Sequence, residues 1–281
     1  MKLASFLAGV EPAFGVVEGD GIVDMTRRLG GRFATLREAL AADALDDIRR
    51  AAAGAPADYR LADVTLLPVI PDPQRIVCVG INYRSHAEET GRDISPAPSV
   101  FLRLADTLIG HGAALVRPQV SKMFDFEGEL AVVIGRPGRH VAEADALKYV
   151  AGYTCFVDGS VRDYQKFSVT SGKNFPATGP LGPVLVTSDE IPDPTRLTLV
   201  TRLNGVEMQR SGTDMLIYSI PKVIKFVSDF TSLAPGDVIA TGTPAGVGHR
   251  RNPPLWMKPG DVLEVEISGI GTLRNPVIDE A

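Results

Sequence analysis

Short apolar runs separated by turns dominate the chain from Arg75 onward, and they limit the fold it can adopt. Two late runs begin with the same turn, Pro-Gly-Asp, at Pro235 and at Pro259. Proline before glycine favours a type II turn, in which glycine takes a positive φ. Many strands with few helices predict a β-rich barrel, roll or sandwich. The predicted strands are residues 76–79, 100–104, 129–134, 184–187, 197–203, 237–241 and 262–267.

The first 71 residues are predicted to form a small separate α+β unit. Strands are expected at residues 2–7, 14–17 and 22–25, followed by an Ala-rich helical pattern from Thr35 to Ala53. Three prolines between Pro68 and Pro73 exclude a helix interior or a central strand, so this segment is predicted to be the linker. The domains are then 1–71 and 72–281. The clearest helix is expected to start near Ser219, because Ile220, Val223, Ile224 and Val227 recur at helical spacing.

Composition narrows the possible partners. The 281 residues are 44% hydrophobic and 22% charged, which is ordinary for a globular protein. The formal net charge of −5 argues against a nucleic-acid partner. No apolar run is long enough to span a membrane. Cys78 and Cys155 lie in apolar runs and are expected to be reduced core thiols, which favours a cytoplasmic location.

Two carboxylates open one of the predicted strands. Alternate residues of a strand share a face, so Glu127 and Glu129 point the same way at the start of an apolar run. Burying both requires a counter-charge, and a hard divalent cation such as Mg²⁺ would supply it. The alternative is a solvated strand face.

A second acidic position follows the predicted strand that ends at Val157. If a helix starts there, Asp158, Arg162 and Gln165 share one face and can hold a metal together with an oxygen-rich ligand. The alternative is only a capped helix start, since Ser160 and Asp163 resemble a capping box.

Three further segments carry polar groups suited to catalysis. On a helical turn, Glu89 would fix the tautomer of His86 and raise its basicity, unless the two form only a surface ion pair. Lys173 is the cation of a Gly- and Pro-rich loop, and a surface lysine is its alternative. The loop 241–248 contains glycines and Thr243, which can bind a carboxylate or simply form a tight turn.

These segments, in this order, resemble the fumarylacetoacetate hydrolase superfamily, and its shorter acylpyruvase-type members in particular. The resemblance covers residue 72 to the C-terminus and implies a mixed β-roll or sandwich catalytic domain, usually a homodimer. It implies Mg²⁺, or Mn²⁺, held by three carboxylates, and a water-activating dyad. The implied metal ligands are Glu127, Glu129 and Asp158; the implied catalytic residues are His86, Glu89 and Lys173; the implied substrate-binding residues are Tyr83, Arg162, Gln165 and Thr243.

The resemblance implies a small oxo acid as substrate, and hydrolytic C–C cleavage of an acylpyruvate-like 2,4-dioxo acid is the leading hypothesis. His86 would deprotonate a water, while Lys173 and Gln165 would stabilise the oxyanion. Family members also include oxaloacetate decarboxylases and hydratases or isomerases of 2-oxo dienoates, and the motifs do not choose among them. A receptor without turnover is disfavoured because pure binding needs no base.

Overall fold

The computed structural model describes all 281 residues, which form a β-rich α+β fold, as the sequence predicts. Each of the seven strands expected beyond Arg75 is present: the strand expected at residues 184–187 begins five residues earlier, at Gly179, and the ends of the others differ by at most one residue. In chain order the strands are β1 Lys2–Ala8, β2 Glu11–Glu18, β3 Gly21–Asp24, β4 Tyr59–Arg60, β5 Thr65–Leu66, β6 Ile76–Gly80, β7 Ser99–Arg103, β8 Leu108–Ile109, β9 Leu115–Arg117, β10 Phe124–Asp125, β11 Gly128–Ile134, β12 Val150–Val157, β13 Ser160–Val161, β14 Gly179–Thr187, β15 Thr198–Leu203, β16 Val206–Gly212, β17 Val238–Ala240, β18 Val262–Ile267 and β19 Gly271–Asp279. The helices are α1 Met25–Arg28, α2 Leu36–Ala41, α3 Leu45–Ala52, α4 Arg84–Thr90, α5 Val169–Lys173 and α6 Ile220–Phe230.

Two sheets carry the fold. The larger is a mixed 12-stranded sheet whose main path runs β4-β3-β2-β1-β14-β12-β11-β17-β6-β7. The second has five strands in the order β16-β15-β18-β19-β9, and a short pair, β10-β13, stands apart. Strands β11 and β12 pack against β15 and β18 of the second sheet.

Strand β11 is covered on both faces, which explains its uninterrupted apolar sequence. Leu130 and Val132 belong to the core that includes the second sheet, whereas Ala131 and Val133 belong to the core shared with the N-terminal helices. The carboxylates that precede this run are therefore held at the end of a strand with no solvated face.

The N-terminal residues extend the large sheet, because β1 pairs antiparallel with β14 through Lys2 and Leu3. The proline-rich segment is also packed in: Val69 and Ile70 are fully buried, and Val69 accepts a hydrogen bond from Ser5 Oγ. The domain boundary at residue 71 stays a prediction, but the segment around it is a fixed part of the core.

Two local predictions need correction. The helical pattern 35–53 is present but is interrupted between α2 and α3, where Asp43 takes a left-handed φ of 52°. The capping box does not start a helix at Ser160, because β13 stays extended through its pairing with β10. Asp163 instead caps a short 3₁₀ turn at Tyr164–Lys166.

Other local predictions are confirmed. Helix α6 begins after Ser219, whose hydroxyl accepts from the Lys222 N–H. Gly236 and Gly260 have φ values of +83° and +90°, as the type II turns require. Both cysteines are buried and free. No helix combines the length and the apolar character that crossing a bilayer requires.

Candidate metal centre and active site

Three buried carboxylates converge at the ends of two paired strands. Glu127 precedes β11, Glu129 is its second residue, and Asp158 directly follows β12. The antiparallel pairing of Gly128 with Val157 brings these ends together, and Asp158 N–H donates to the Glu127 carbonyl over 2.9 Å. One ligand oxygen from each residue lies within 4.8 Å of the others. The geometry joins the three residues predicted to hold a metal.

Gly128 separates the two glutamates because no larger residue fits there. A Cβ at this position would lie 2.0 Å from Thr201 Oγ1 and 3.1 Å from a methyl group of Val265, both in the second sheet. Its N–H donates to Gln209 Oε1 over 3.0 Å. The second sheet therefore sets the path of the backbone between two candidate ligands.

Lys173 is fully enclosed beside these carboxylates. Its Nζ donates to Glu127 Oε2 at 2.7 Å, to Asp158 Oδ2 at 2.6 Å and to Ser160 Oγ at 2.6 Å. Burial lowers the pKa of Lys173, but Asp158 and Glu127 outweigh it, so the net shift is upward and the ammonium form is held. The residue is a buried cation of the site and not a surface lysine.

Arg103 is a site residue that the sequence does not reveal. It ends β7, and its Nη1 donates to Asp158 Oδ1 at 2.6 Å and to the Gly159 carbonyl at 3.0 Å. Its Nη2 donates to Thr178 Oγ1 at 2.7 Å. An isolated arginine at a strand end gives no local signal, because its carboxylate partner Asp158 lies 55 residues away in the sequence and Thr178 lies 75 residues away.

Arg162 is held by two carboxylates. Its Nε donates to Asp125 and its Nη2 to Glu127, each over 2.7 Å. Asp125, also missed by sequence reasoning, accepts the N–H groups of Gly248 and His249 at 2.8 and 3.0 Å. Asp125 thus ties the loop after β17 to the arginine beside the carboxylates. Arg162 Nη1 also donates to Gln165 Oε1 at 2.9 Å, so these two side chains meet without a helix.

The charge balance of this cluster lacks a cation. Burial raises the pKa of Glu127, but Lys173, Arg162 and His86 outweigh it and bring the value to about 2. Glu129 has no cationic partner and accepts only the Gly242 N–H at 2.8 Å. Its pKa is raised well above the ordinary value by burial, and then by Asp158 and Glu127. The carboxylates of the cluster are Asp125, Glu127, Glu129 and Asp158, and the lysine and arginine side chains paired with them are Arg103, Arg162 and Lys173.

A divalent cation fits this cluster. It would balance the negative charge of Glu129, which has no cationic partner in the protein. A ligand set made only of carboxylates suits hard ions such as Mg²⁺ or Mn²⁺. Glu127, Glu129 and Asp158 are the residues that would hold it.

The predicted dyad is formed on α4. His86 Nδ1 lies 2.8 Å from Glu89 Oε2, and Glu89 Oε1 accepts the Gly246 N–H at 2.8 Å. A carboxylate at Nδ1 keeps the proton on that nitrogen, so that the lone pair of Nε2 is available as a base. Nε2 makes no hydrogen bond within the protein, and the imidazole is near enough to Glu127 to help lower its pKa.

A single cavity of about 510 Å³ gathers most of the predicted residues. His86, Gln165, Lys173 and Thr243 line it together with the three candidate ligands and Arg162. His249, which belongs to none of the predicted site residues, lines it too and stacks on Trp256. Glu89 does not line the cavity itself, but it contacts His86, which does.

Two predicted substrate-binding residues have other contacts. Tyr83 is fully buried outside the cavity wall, and its hydroxyl has no partner. Thr243 Oγ1 donates to the Gly128 carbonyl at 2.9 Å and accepts from Gln209 Nε2 at 2.8 Å. The hydroxyl of Thr243 is thereby engaged within the protein, and binding of substrate by these residues stays a prediction.

Comparison with known proteins agrees with this geometry. The family described as fumarylacetoacetate (FAA) hydrolase C-terminal matches residues 75–278. The chain belongs to the fumarylacetoacetate hydrolase family. The matched span covers all three candidate ligands, the dyad and Lys173, so the site lies in the part of the chain that defines the family.

Relatives within the family differ in the reaction their names give. The mitochondrial oxaloacetate tautomerase Fahd2a of Rattus norvegicus is 36% identical over 99% of this chain and 92% of its own length. A 2-hydroxyhepta-2,4-diene-1,7-dioate isomerase from Mycobacterium marinum is 31% identical with a TM-score of 0.79, covering 100% of this chain and 99% of its own. A maleylpyruvate hydrolase from Sphingobium sp. SYK-6, in complex with manganese and pyruvate, is 30% identical with a TM-score of 0.85 and full coverage of both chains.

Proposed function

We propose that this protein is a divalent-metal-dependent enzyme that moves a proton next to the 2-oxo group of a small oxo acid, as in keto–enol tautomerisation of an oxaloacetate-like substrate. One observation carries the proposal: an oriented base, His86, lines the same cavity as three carboxylates, of which Glu129 has no cationic partner. The oxaloacetate tautomerase from Rattus norvegicus, which is similar to this protein over 99% of the chain, supports the proposal.

The metal, when bound, would supply Lewis acidity to the substrate's 2-oxo oxygen and carboxylate. The manganese and pyruvate in the maleylpyruvate hydrolase support such a pairing. Magnesium is the ion we propose for this chain, with manganese as the substitute, because the ligand set is built from carboxylates alone.

His86 would carry the proton. Its Nε2 takes a proton from the carbon next to the 2-oxo group, the C–H electron pair forms the new double bond, and the negative charge moves to the 2-oxo oxygen. The imidazolium then returns the proton to oxygen or to carbon. Glu89 stabilises that imidazolium, and Gly246 N–H holds Glu89 in place over 2.8 Å.

Three donors would stabilise the negative charge that develops. Lys173 is held as an ammonium by Asp158 and Glu127, and it lines the cavity together with Arg162 and Gln165. Fixed donors in a buried site need no reorganisation as charge develops, which is why they lower a barrier more than water does.

Hydrolytic C–C cleavage is the second candidate, favoured by the same dyad and by the maleylpyruvate hydrolase relative. His86 Nε2 would deprotonate a water that attacks the distal carbonyl of a 2,4-dioxo acid. The C–C bond then breaks, and the electron pair leaves on the pyruvate fragment as its enolate, which takes a proton.

One experiment separates the candidates. The enzyme is incubated with Mg²⁺ or Mn²⁺ in D₂O with oxaloacetate, an acylpyruvate or a 2-oxo dienoate, and NMR follows deuterium incorporation and products. Fast deuterium exchange at C3 of oxaloacetate without cleavage supports the tautomerase. Two acid fragments from the acylpyruvate support the hydrolase, and pyruvate formed from oxaloacetate supports a decarboxylase. No exchange and no products with any substrate would refute the enzyme proposal.

Assembly and location stay predictions. A homodimer is expected from the resemblance, and the exposed side chains of Leu102, Leu104 and Phe167 offer an apolar surface for it. A cytoplasmic location rests on the cysteine usage, whereas the relative from Rattus norvegicus is described as mitochondrial.

A further inference from the structure

The loop that follows β17 supports the helix that carries the dyad. Ala245 N–H donates to Ser85 Oγ over 3.4 Å, in the first turn of α4. Gly246 N–H donates to Glu89 Oε1 over 2.8 Å, near the end of the same helix. The other oxygen of Glu89 lies 2.8 Å from His86 Nδ1. The direction of one glycine N–H therefore affects how the carboxylate faces the imidazole.

Gly246 cannot hold that N–H in place by itself. Its φ is +105°, in the region that favours glycine, and the backbone of a glycine is freer than that of any other residue. A side chain does not fit, because a Cβ would lie 2.1 Å from the carbonyl oxygen of Met208 on β16. A stiffer residue is thus excluded, and the glycine has to be held by its neighbours.

Arg251 supplies this restraint. Its Nε and Nη2 donate to the Gly246 carbonyl over 3.2 and 3.1 Å, and Nη2 also donates to the Met208 carbonyl over 2.8 Å. The guanidinium thereby joins the loop to β16 of the second sheet. Because the carbonyl and the N–H of Gly246 lie on opposite sides of its Cα, Arg251 and Glu89 hold the glycine from both sides.

The surroundings of Arg251 suit a clamp on the backbone. The side chain is half-buried, forms no ion pair with any carboxylate, and donates only to carbonyl groups. A guanidinium stays protonated and presents its N–H groups in one rigid plane, so it can serve two carbonyls at once. The usual role of a surface arginine, an ion pair, is therefore not the role of this residue.

We propose that Arg251 is a positioning residue for the dyad: by clamping Gly246 it keeps Glu89 against His86 Nδ1, so that Nε2 remains the base. This inference rests on the proposed function, in which Nε2 accepts the proton. Arg251 does not line the cavity, so it acts only through its neighbours. Without the clamp the Gly246 N–H turns away, the Glu89 carboxylate loses a partner, and both tautomers of the imidazole become populated.

A purely structural role must be separated from this one. Arg251 also ties the loop to β16, so its loss would lower stability even if His86 were unaffected. A structural role changes the free energy of unfolding alone. A positioning role also changes which imidazole nitrogen carries the proton, and its effect on the rate depends on the presence of Glu89.

The first measurement is ¹⁵N NMR of the His86 imidazole in the full chain with Mg²⁺ present, at a pH at which the ring is neutral. We expect the Nδ1–H tautomer in the unmodified protein and a mixture of both tautomers in Arg251→Met. Arg251→Gln, which retains one donor group, gives the same measurement if Arg251→Met does not fold. Arg210→Met is the matched control, because Arg210 lies on β16 but is exposed and pairs with Glu207.

The second measurement is kcat, followed as deuterium exchange at C3 of oxaloacetate with Mg²⁺. Arg251→Met should lower kcat about 10-fold and change KM less than about twofold, since outer contacts of a site contribute on that scale without touching the substrate. In a Glu89→Ala background the same substitution should change kcat less than about twofold, because the carboxylate through which Arg251 acts has been removed.

The NMR measurement needs no turnover, so it tests the clamp even if the proposed reaction is refuted. Mixed tautomers in the Arg251 variants, together with the unmodified pattern in Arg210→Met, support the inference. His86 signals unchanged in the Arg251 variants would overturn it, whatever urea unfolding shows about their stability. An equal loss of kcat with and without Glu89 would also overturn it.

Discussion

Arg103 Nη1 donates to Asp158 Oδ1 over 2.6 Å, and both side chains are essentially excluded from solvent. The other oxygen, Oδ2, faces Lys173 at 2.6 Å. One carboxylate oxygen is therefore fixed by an arginine that does not line the cavity, while the second faces the centre of the site. Such outer contacts orient ligands and tune their affinity for metal.

Replacing Arg103 by methionine should destabilise the protein by about 3–5 kcal/mol, since it leaves Asp158 buried beside a single remaining cation. Urea unfolding measures the change. Arg60→Met is the matched control, because Arg60 pairs with Asp63 at the surface and exposed pairs contribute at most about 1 kcal/mol. Similar losses in the two variants would contradict the role assigned to the buried pair.

Neutralising Glu129 and neutralising Glu127 should change the stability of the metal-free protein in opposite directions. The pKa of folded Glu129 lies above its ordinary value near 4.5, so the native state binds the proton more tightly than the unfolded chain does. The metal-free protein should then lose stability as pH rises from about 4.5 through the raised pKa, and Glu129→Gln should remove that loss. Glu127→Gln should instead destabilise, because Lys173 and Arg162 lose a partner.

Thermal unfolding from pH 4.5 to 8 without metal tests this contrast, and calorimetry with Mg²⁺ or Mn²⁺ tests the site. Both variants should lose at least about tenfold in metal affinity, the lower end of what even an outer contact contributes. Unchanged metal uptake in both variants would exclude the proposed centre.

Gly128→Ala should destabilise the protein by about 1–3 kcal/mol through overpacking against Thr201. The added Cβ would lie 2.0 Å from Thr201 Oγ1, a hydroxyl that has no partner of its own. Thr201→Ala in the same chain removes this oxygen and should restore most of the stability. A double variant no more stable than Gly128→Ala would place the constraint elsewhere.

His86→Ala should lower kcat about 10²- to 10⁴-fold while metal affinity stays within a few-fold, since general-base catalysis contributes on that scale and His86 is not a ligand. His140→Ala, an exposed histidine distant from the cavity, is the control. Glu89→Gln should lose less than His86→Ala, because the imidazole remains while its orientation and basicity are weakened. Rates equal to those of the unmodified enzyme in His86→Ala would end its assignment as the base.

What the sequence could predict followed from spacing within single segments. The alternation around Glu127 and Glu129, the His86–Glu89 interval and the Pro-Gly turns are local patterns, and the structure contains all of them. Arg103, Asp125 and Gln209 were missed because each acts on partners that only the folded sheets bring near. The helix considered after Asp158 does not form for the same reason, because the pairing of β13 with β10 overrides the local capping signal.

Gln209, on β16 of the second sheet, is the side chain outside the sequence motifs that should affect metal affinity most. Its Oε1 accepts from Gly128 N–H at 3.0 Å, and its Nε2 donates to Thr243 Oγ1 and the Pro244 carbonyl, both at 2.8 Å. Gln209→Met keeps the length but removes all three bonds, so the segment that carries both glutamates should lose its fixed spacing. We expect Mn²⁺ affinity to fall about 10- to 100-fold, as for other outer contacts of metal sites, with Gln119→Met as an exposed control. If Gln209→Met lowers only the free energy of unfolding and leaves Mn²⁺ affinity unchanged, the side chain supports the fold without positioning the ligands.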